Sequence, residues 1–327
     1  MPDRVLIVGS RASVLALRQT NMILAALRRR FPAVQMELRH IHTTGDHDKS
    51  TPLHTIGGQG VFVKEIEEAL ARGEIDLAVH SLKDLPGTLR DGLALGAIPK
   101  RADARDALIA RSGMTLADLP HGATIGTGAA RRIAQLQAAR PDCIIHDLRG
   151  NVDTRLRKAM DAHGPYDAIV LALAGLKRLR RAKEATEILP FDTMLPAPGQ
   201  GALGLEIRAD DTWACDLIAP LNDPTTHRAV SAERAFLVGL GGGCQAPIAA
   251  LGRVRGQQLW LTGMLALPNG TLLRHTLQGN PTEAEAIGHR LAREILSQET
   301  GRDTEATEIH EGARKMTERE ITRHGTK

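Results

Sequence analysis

Cysteine is scarce. Cys143, Cys215 and Cys244 are the only three in 327 residues, and no two form a CxxC pair. A widely spaced, odd-numbered set excludes a disulfide framework and a thiolate zinc site; no metal is expected, and a reducing, cytoplasmic setting is. Aromatic residues number four Phe, two Trp and one Tyr, too few for a base-stacking surface. No stretch approaches about 18 consecutive apolar residues, and Arg11 and Arg18 interrupt the early apolar pattern, which argues against a membrane span and a signal region. An excess of one charge is also missing. The net value of +4 implies no nucleic-acid partner. What remains is an ordinary globular composition, 42% hydrophobic, on a chain long enough for two or three domains.

Val5–Val8 reads as a buried strand and Gly9–Ser13 as a turn. Leu15, Leu17, Ile23, Leu24 and Leu27 then recur at helical spacing through Arg30. This unit places Ser10, Arg11 and Ser13 near a helix N-terminus, where free N–H groups and the dipole attract anions. Ser13 is equally explained as a plain N-cap. A strand over 34–41, a polar glycine-rich loop to Gly60, a helix over 61–72 and a strand over 75–79 follow. That strand runs into His80-Ser81-Leu82-Lys83-Asp84-Leu85-Pro86. Ligands of open α/β sheets bind beyond the carboxyl ends of strands. The cluster of His80, Ser81, Lys83 and Asp84 therefore marks a candidate site, with a Lys83–Asp84 surface pair as the alternative.

A strand over 92–98 and a linker at 99–103 lead to a second α/β run from Asp106. It contains strands near Thr124, over 143–146 and over 166–173, a helix to Arg140, and a helix to Asp161 capped by Asn151. Leu195–Gly201 is expected to cross back to the first domain. Gly199–Gly204 fits GxGxxG but is no dinucleotide motif, because prolines precede it and a strand over 203–207 follows. Beyond Asp210 come helices over 211–221 and 225–240. Strands over 251–255, 258–267 and 271–277 turn at Gly256 and Asn269-Gly270, and a helix spans 281–296. The charged tail, 298–327, reads as frayed helix or disorder.

Arg11, Arg131, Arg132, Arg149, Arg155 and Arg178 all fall just after strands or in first helical turns. A cation there opposes the helix dipole, so the pattern points to a bound polyanion held by paired guanidinium hydrogen bonds. Taken singly, each arginine is explained by a solvated helix face. Cys244 follows three glycines and precedes Pro247 by three residues. The glycines end the helix before it and clear side chains from around the thiol. A small apolar residue in a tight turn is the other reading.

The motifs together resemble the porphobilinogen deaminase (hydroxymethylbilane synthase) family. They are Gly57–Glu65, His80–Pro86, Arg149–Leu156, Ala174–Leu179, Leu195–Ala202 and Gly242–Ile248, and the likeness runs from Val5 to about Leu296. The resemblance implies an α/β fold of two periplasmic-binding-protein-like lobes plus a small α+β C-terminal domain. The corresponding boundaries are 1–99 with 200–220 for the first lobe, 100–199 for the second, 221–297 for the third domain, and 298–327 for the tail. It implies a transferase that condenses four porphobilinogen units head to tail, releasing ammonia, and then hydrolyses the product to hydroxymethylbilane. It also implies a dipyrromethane cofactor joined to Cys244 by a thioether.

By the same resemblance, Lys83, Ser81, Asp46, Thr127, Arg131, Arg132 and Arg155 would hold the cofactor. Arg11, Ser13, Arg149, Arg155, Arg178, Gln200 and Phe62 would hold substrate. Each pyrrole brings two carboxylates, which suits the arginines. Asp84 is the catalytic candidate, since a carboxylate beside the ring nitrogens stabilises the cation left by departing ammonia and shuttles protons. A monomer is implied, with product passed to uroporphyrinogen-III synthase. Gln59 stands where the family commonly has lysine, and Gly128 and Ala129 where it commonly has serines. Ala12, Val14 and Arg18 also depart from its usual first-helix motif. A non-catalytic carrier would share the lobes and the cationic cleft but needs neither Asp84 nor Cys244.

Overall fold

The computed structural model describes residues 4–41, 63–242 and 246–298. Asp46, Gln59, Phe62, Cys244 and the tail beyond 298 lie outside the described residues. In chain order the elements are β1 (Leu6–Arg11), α1 (Val14–Arg30), β2 (Met36–Ile41), α2 (Lys64–Ala71), β3 (Leu77–Ser81), β4 (Leu93–Ala97), β5 (Asp106–Ala110) and β6 (Thr124–Gly126). They continue with α3 (Ala130–Ala139), β7 (Ile144–His146), α4 (Val152–Met160), β8 (Ala168–Ala172), α5 (Leu173–Arg178), β9 (Glu187–Ile188) and β10 (Leu203–Arg208). Last come α6 (Thr212–Ile218), α7 (Pro224–Gly239), β11 (Ile248–Arg255), β12 (Gln258–Ala266), β13 (Leu272–Gly279) and a helix, α8, over 284–298.

Two five-stranded sheets form the lobes. Their orders, β2-β1-β3-β10-β4 and β7-β6-β8-β5-β9, follow one plan. In each, the fourth strand is antiparallel to both neighbours and is the first laid down after a crossing between lobes. Strands covered on both faces read as nearly unbroken apolar runs, as Ala168-Ile169-Val170-Leu171-Ala172 does. Successive side chains leave such a strand on opposite faces. Leu108 packs with Leu136 of α3, while Ile109 packs with Leu156 of α4 and Leu176 of α5. In the first lobe α1 and α6 cover one face and α2 the other.

β1 extends to Arg11, where the sequence reads as a turn from Gly9. Ser10 is tolerated inside a buried strand because its hydroxyl accepts a hydrogen bond from Thr20 Oγ1 at 2.9 Å. Ser13 caps α1, its hydroxyl accepting from Ala16 N at 3.3 Å, and Asn151 caps α4 by accepting from Thr154 N at 2.9 Å. Arg28, Arg29 and Arg30 close α1 at its negative end.

The crossings at 98–105 and 189–202 meet. Ala102 N donates to Gly201 O at 3.2 Å and Arg101 Nε to Gln200 O at 2.7 Å. Gly201 has φ +88°, and a Cβ there would stand 2.8 Å from Ala102 O, so only glycine fits. Glu233 of α7 ties these strands to the third sheet. Fully buried, it accepts from Arg101 Nη1 (2.6 Å), Arg101 Nη2 (3.1 Å), Gly199 N (2.6 Å) and Gly252 N of β11 (2.6 Å).

β11, β12 and β13 form an antiparallel meander covered by α7 and α8, with Phe236 and Leu291 at its centre. The helix before Cys244 ends as the glycines imply. Gly241, at φ +63°, donates its N–H to Val238 O, and Gly242 N donates to Leu237 O. This pair of bonds closes a Schellman cap, which fixes how the chain leaves α7 toward Cys244.

Candidate active site

The ends of β3 and β8 face each other between the lobes. Ser81 ends β3 and Lys83 follows it, while Ala172 ends β8 and Gly175 lies in α5. Arg132 comes from the first turn of α3, Arg155 from α4, Arg178 from the end of α5, and Gln200 from the second crossing. With Leu15 and Gln19 of α1 they line a cavity of about 100 Å³ that has no carboxylate in its wall among the described residues. Three arginines and a lysine thus surround one space, and of these Arg132 is paired with Asp106 beneath the wall.

Beneath the cavity lies a neutralised core. Asp106, fully buried at the start of β5, accepts from Arg131 Nη1 and Arg132 Nη2, each at 2.7 Å, and from Gln200 Nε2 at 2.9 Å. Arg131 also donates to Leu195 O and Gln200 Oε1, both at 3.0 Å, and Arg132 to Val170 O at 3.0 Å. Burial alone would push the Asp106 carboxyl up, but Arg131 and Arg132 outweigh it and hold it well below the carboxylate range. Burial pulls the Arg131 guanidinium down, against the pull of Asp106. Lys83 Nζ reaches Gln200 Oε1 at 3.4 Å, linking this core to the cavity.

The remaining cations are less well matched. Burial brings Arg155 down to about 10, with Arg132 adding to the fall and Asp147 and Asp84 opposing it. Burial alone brings Arg178 to about 10. Arg155 Nε donates to Gly150 O at 2.7 Å and Arg178 Nη2 to Gly201 O at 2.7 Å. Among the described residues the buried Nε atoms of Arg132 and Arg178 have no acceptor. A buried donor without a partner costs on the order of 1–3 kcal/mol.

Ser81, Lys83, Arg132, Arg155, Arg178 and Gln200 are thus brought to one cavity. Arg131 stands behind it, engaged by Asp106. Arg11, Ser13, Thr127 and Arg149 lie outside its wall. Thr127 is buried at the end of β6, its hydroxyl accepting from Ala129 N at 3.4 Å. Asp84 is exposed on a single 3-10 turn, Leu82–Asp84, and its charge acts on both Lys83 and Arg155. His80 turns away, as alternation along β3 requires, and its Nε2 stands 2.9 Å from buried Glu206 Oε2. Asp106, Gln19 and Glu233 are absent from the residues singled out in the sequence. A lone carboxylate opening the apolar run Asp-Ala-Leu-Ile-Ala was the available signal for Asp106.

Burial pushes the Lys83 ammonium down to about 8, with Asp84 opposing and Arg132 and Arg131 reinforcing the fall. In the unfolded chain it would keep its proton to about 10.4. The folding penalty is therefore complete below pH 8 and fades as the pH rises toward 10.4. Anion affinity falls over the same range. In Lys83→Arg, the alkaline limb of kcat/KM is expected to move up by about one unit or more. A limb superposable on that of the native protein would assign it to another group.

Fold and site together define a two-lobed α/β protein with an interlobe cleft suited to a small polycarboxylate. Two family profiles cover nearly all of the described chain. "Porphobilinogen deaminase, dipyromethane cofactor binding domain" matches residues 6–216, and "Porphobilinogen deaminase, C-terminal domain" matches 227–297. The chain belongs to the porphobilinogen deaminase family. Porphobilinogen deaminase of Roseiflexus castenholzii is 50% identical over 291 residues, covering 89% of this chain and 95% of that one. The Geobacter metallireducens protein of the same name is 50% identical over 298 residues, covering 91% and 93%. That of Syntrophotalea carbinolica is 49% identical over 310 residues, covering 94% and 98%. Among solved structures, the periplasmic domain of B. pertussis BvgS aligns at 17% identity over 69% of this chain and 42% of that one. Its TM-score of 0.40 is too low to carry any argument.

The residues present fit a dipyrromethane. Its carboxylates, two per ring, match a wall with Lys83, Arg132, Arg155 and Arg178 and no acid among the described residues.

Proposed function

We infer that this chain is a hydroxymethylbilane synthase. It joins four porphobilinogen units head to tail with loss of ammonia and releases the linear tetrapyrrole by hydrolysis. The observation that carries this reading is the convergence of Lys83, Arg132, Arg155 and Arg178 on one cavity, with Asp84 able to act on two of them. Lys83, Ser81, Asp46, Thr127, Arg132 and Arg155 would hold the dipyrromethane, with Arg131 contributing through Asp106 and Gln200. Cys244 would carry it as a thioether, formed once when the thiolate captures an activated pyrrole. When bound, the dipyrromethane supplies the pyrrole carbon to which substrate is added. Arg11, Ser13, Arg149, Arg155, Arg178, Gln200 and Phe62 orient the incoming acetate and propionate. Asp84 stabilises the substrate cation left by ammonia and takes the proton released on joining. The domains divide at 1–99 with 200–220, 100–199 and 221–297. The chain acts as a cytoplasmic monomer and delivers its product to uroporphyrinogen-III synthase.

Purified protein incubated with porphobilinogen should release ammonia and give uroporphyrin absorbance after oxidation; neither signal appears if the reading is wrong. Intact mass provides a separate check on the attachment point. Cys244→Ala should lack the dipyrromethane adduct that the native protein carries, and an adduct retained by the variant would place it elsewhere.

A further inference from the structure

Building on that reading, we propose that Asp147 determines substrate affinity as an internal competitor. Its carboxylate occupies Arg149 in space that Gly128 leaves open, and an incoming pyrrole carboxylate must displace it. Asp147 Oδ2 accepts from Arg149 Nε at 2.8 Å. Its Oδ1 lies where a side chain on Gly128 would begin, since a Cβ there would stand 2.6 Å from it. Gly128 immediately precedes Ala129, the N-cap of α3, which offers no side-chain cap to the helix. The carboxylate therefore sits between an arginine and an uncapped helix start, a place that favours an anion.

Three further observations make the residue a competitor and not a fixed support. Its backbone is anchored, because Asp147 O accepts from Tyr166 Oη at 2.7 Å, so the carboxylate can swing without moving the chain. The pair is open to water, with side-chain exposures of 60% for Asp147 and 30% for Arg149, so exchange for another carboxylate is cheap. The charge also reaches Arg155 and favours its cationic form, opposing Arg132 and Arg149. Asp147 thus supplies a resident counter-charge to two arginines assigned to substrate.

The test uses holoenzyme whose adduct is verified by intact mass, with KM and kcat for porphobilinogen measured at fixed ionic strength. Asp147→Asn keeps the shape and removes the charge. Its KM is expected to fall about three- to fivefold, with kcat changed by less than about twofold. Gly128→Ser should lower KM by pushing the carboxylate off Arg149, and the double variant should show no further fall. An unchanged or raised KM in Asp147→Asn overturns the proposal. So does an equal effect of the serine in the Asp147→Asn background, which would belong to its own hydroxyl. Native holoenzyme that consumes no porphobilinogen would instead strike the function itself, and this proposal with it.

Discussion

Asp106→Ala is expected to unfold well below the native protein, with a loss of about 3–5 kcal/mol. The carboxylate is fully buried between two guanidinium groups that are themselves about 95% buried. Deleting it leaves both cations in a low-dielectric interior with their mutual repulsion unopposed. Asp106→Asn should recover part of the loss, since an amide can still accept hydrogen bonds but cannot compensate charge. The sign of the pH dependence follows from the depressed carboxyl. Its contribution is complete above its ordinary value of about 3.9 and disappears only as the solution becomes strongly acidic. Thermal and urea denaturation of the holoenzyme measure the effect. A loss within about 1 kcal/mol of zero would mean that Arg131 and Arg132 find other compensation.

Asp84→Asn is expected to reduce kcat by about 10²- to 10⁴-fold while leaving the fold intact. Asp84 is exposed and makes no ion pair among the described residues, unlike Asp103 and Asp106, which are bound by arginines. Its carboxylate is therefore available to a substrate cation, while Lys83 and Arg155 stand near enough to feel its charge. The cleft arginines should behave differently. Each charge-assisted contact to a carboxylate is worth about 1.5–3 kcal/mol, so Arg178→Gln should act mainly on KM, by about ten- to a hundredfold. Near-native turnover in Asp84→Asn would remove it from the chemistry. Steady-state ammonia release from holoenzyme resolves the two patterns.

Local rules carried much of the architecture. Ser13 and Asn151 announce helix starts because their side chains cap the N–H groups that a helix leaves open. Asn269-Gly270 announces the β12–β13 turn because Gly270 takes a positive φ. The prolines before Gly199 and the strand after it remove the dinucleotide alternative, and β10 occupies that strand. β9 is only two residues long, below any period that a pattern could reveal.

By itself, the sequence determined the family, the alternation of strand and helix, and the placing of Ser81, Lys83, Asp84, Arg131 and Arg132 at strand ends or helix starts, whereas Arg178, expected there too, closes its helix. Those properties depend on neighbours within one or two helical turns. Only the tertiary structure decided which arginines face the cavity and which are engaged by the chain itself. Arg131 and Arg132 are adjacent in sequence and similar in burial, yet Arg132 lines the cavity while Arg131 stands behind it. Both pair with Asp106, 25 and 26 residues away, and Arg131 is held in addition by Gln200, 69 residues from it. Charge compensation falls steeply with distance in space and is indifferent to distance along the chain, so no local pattern could have assigned it.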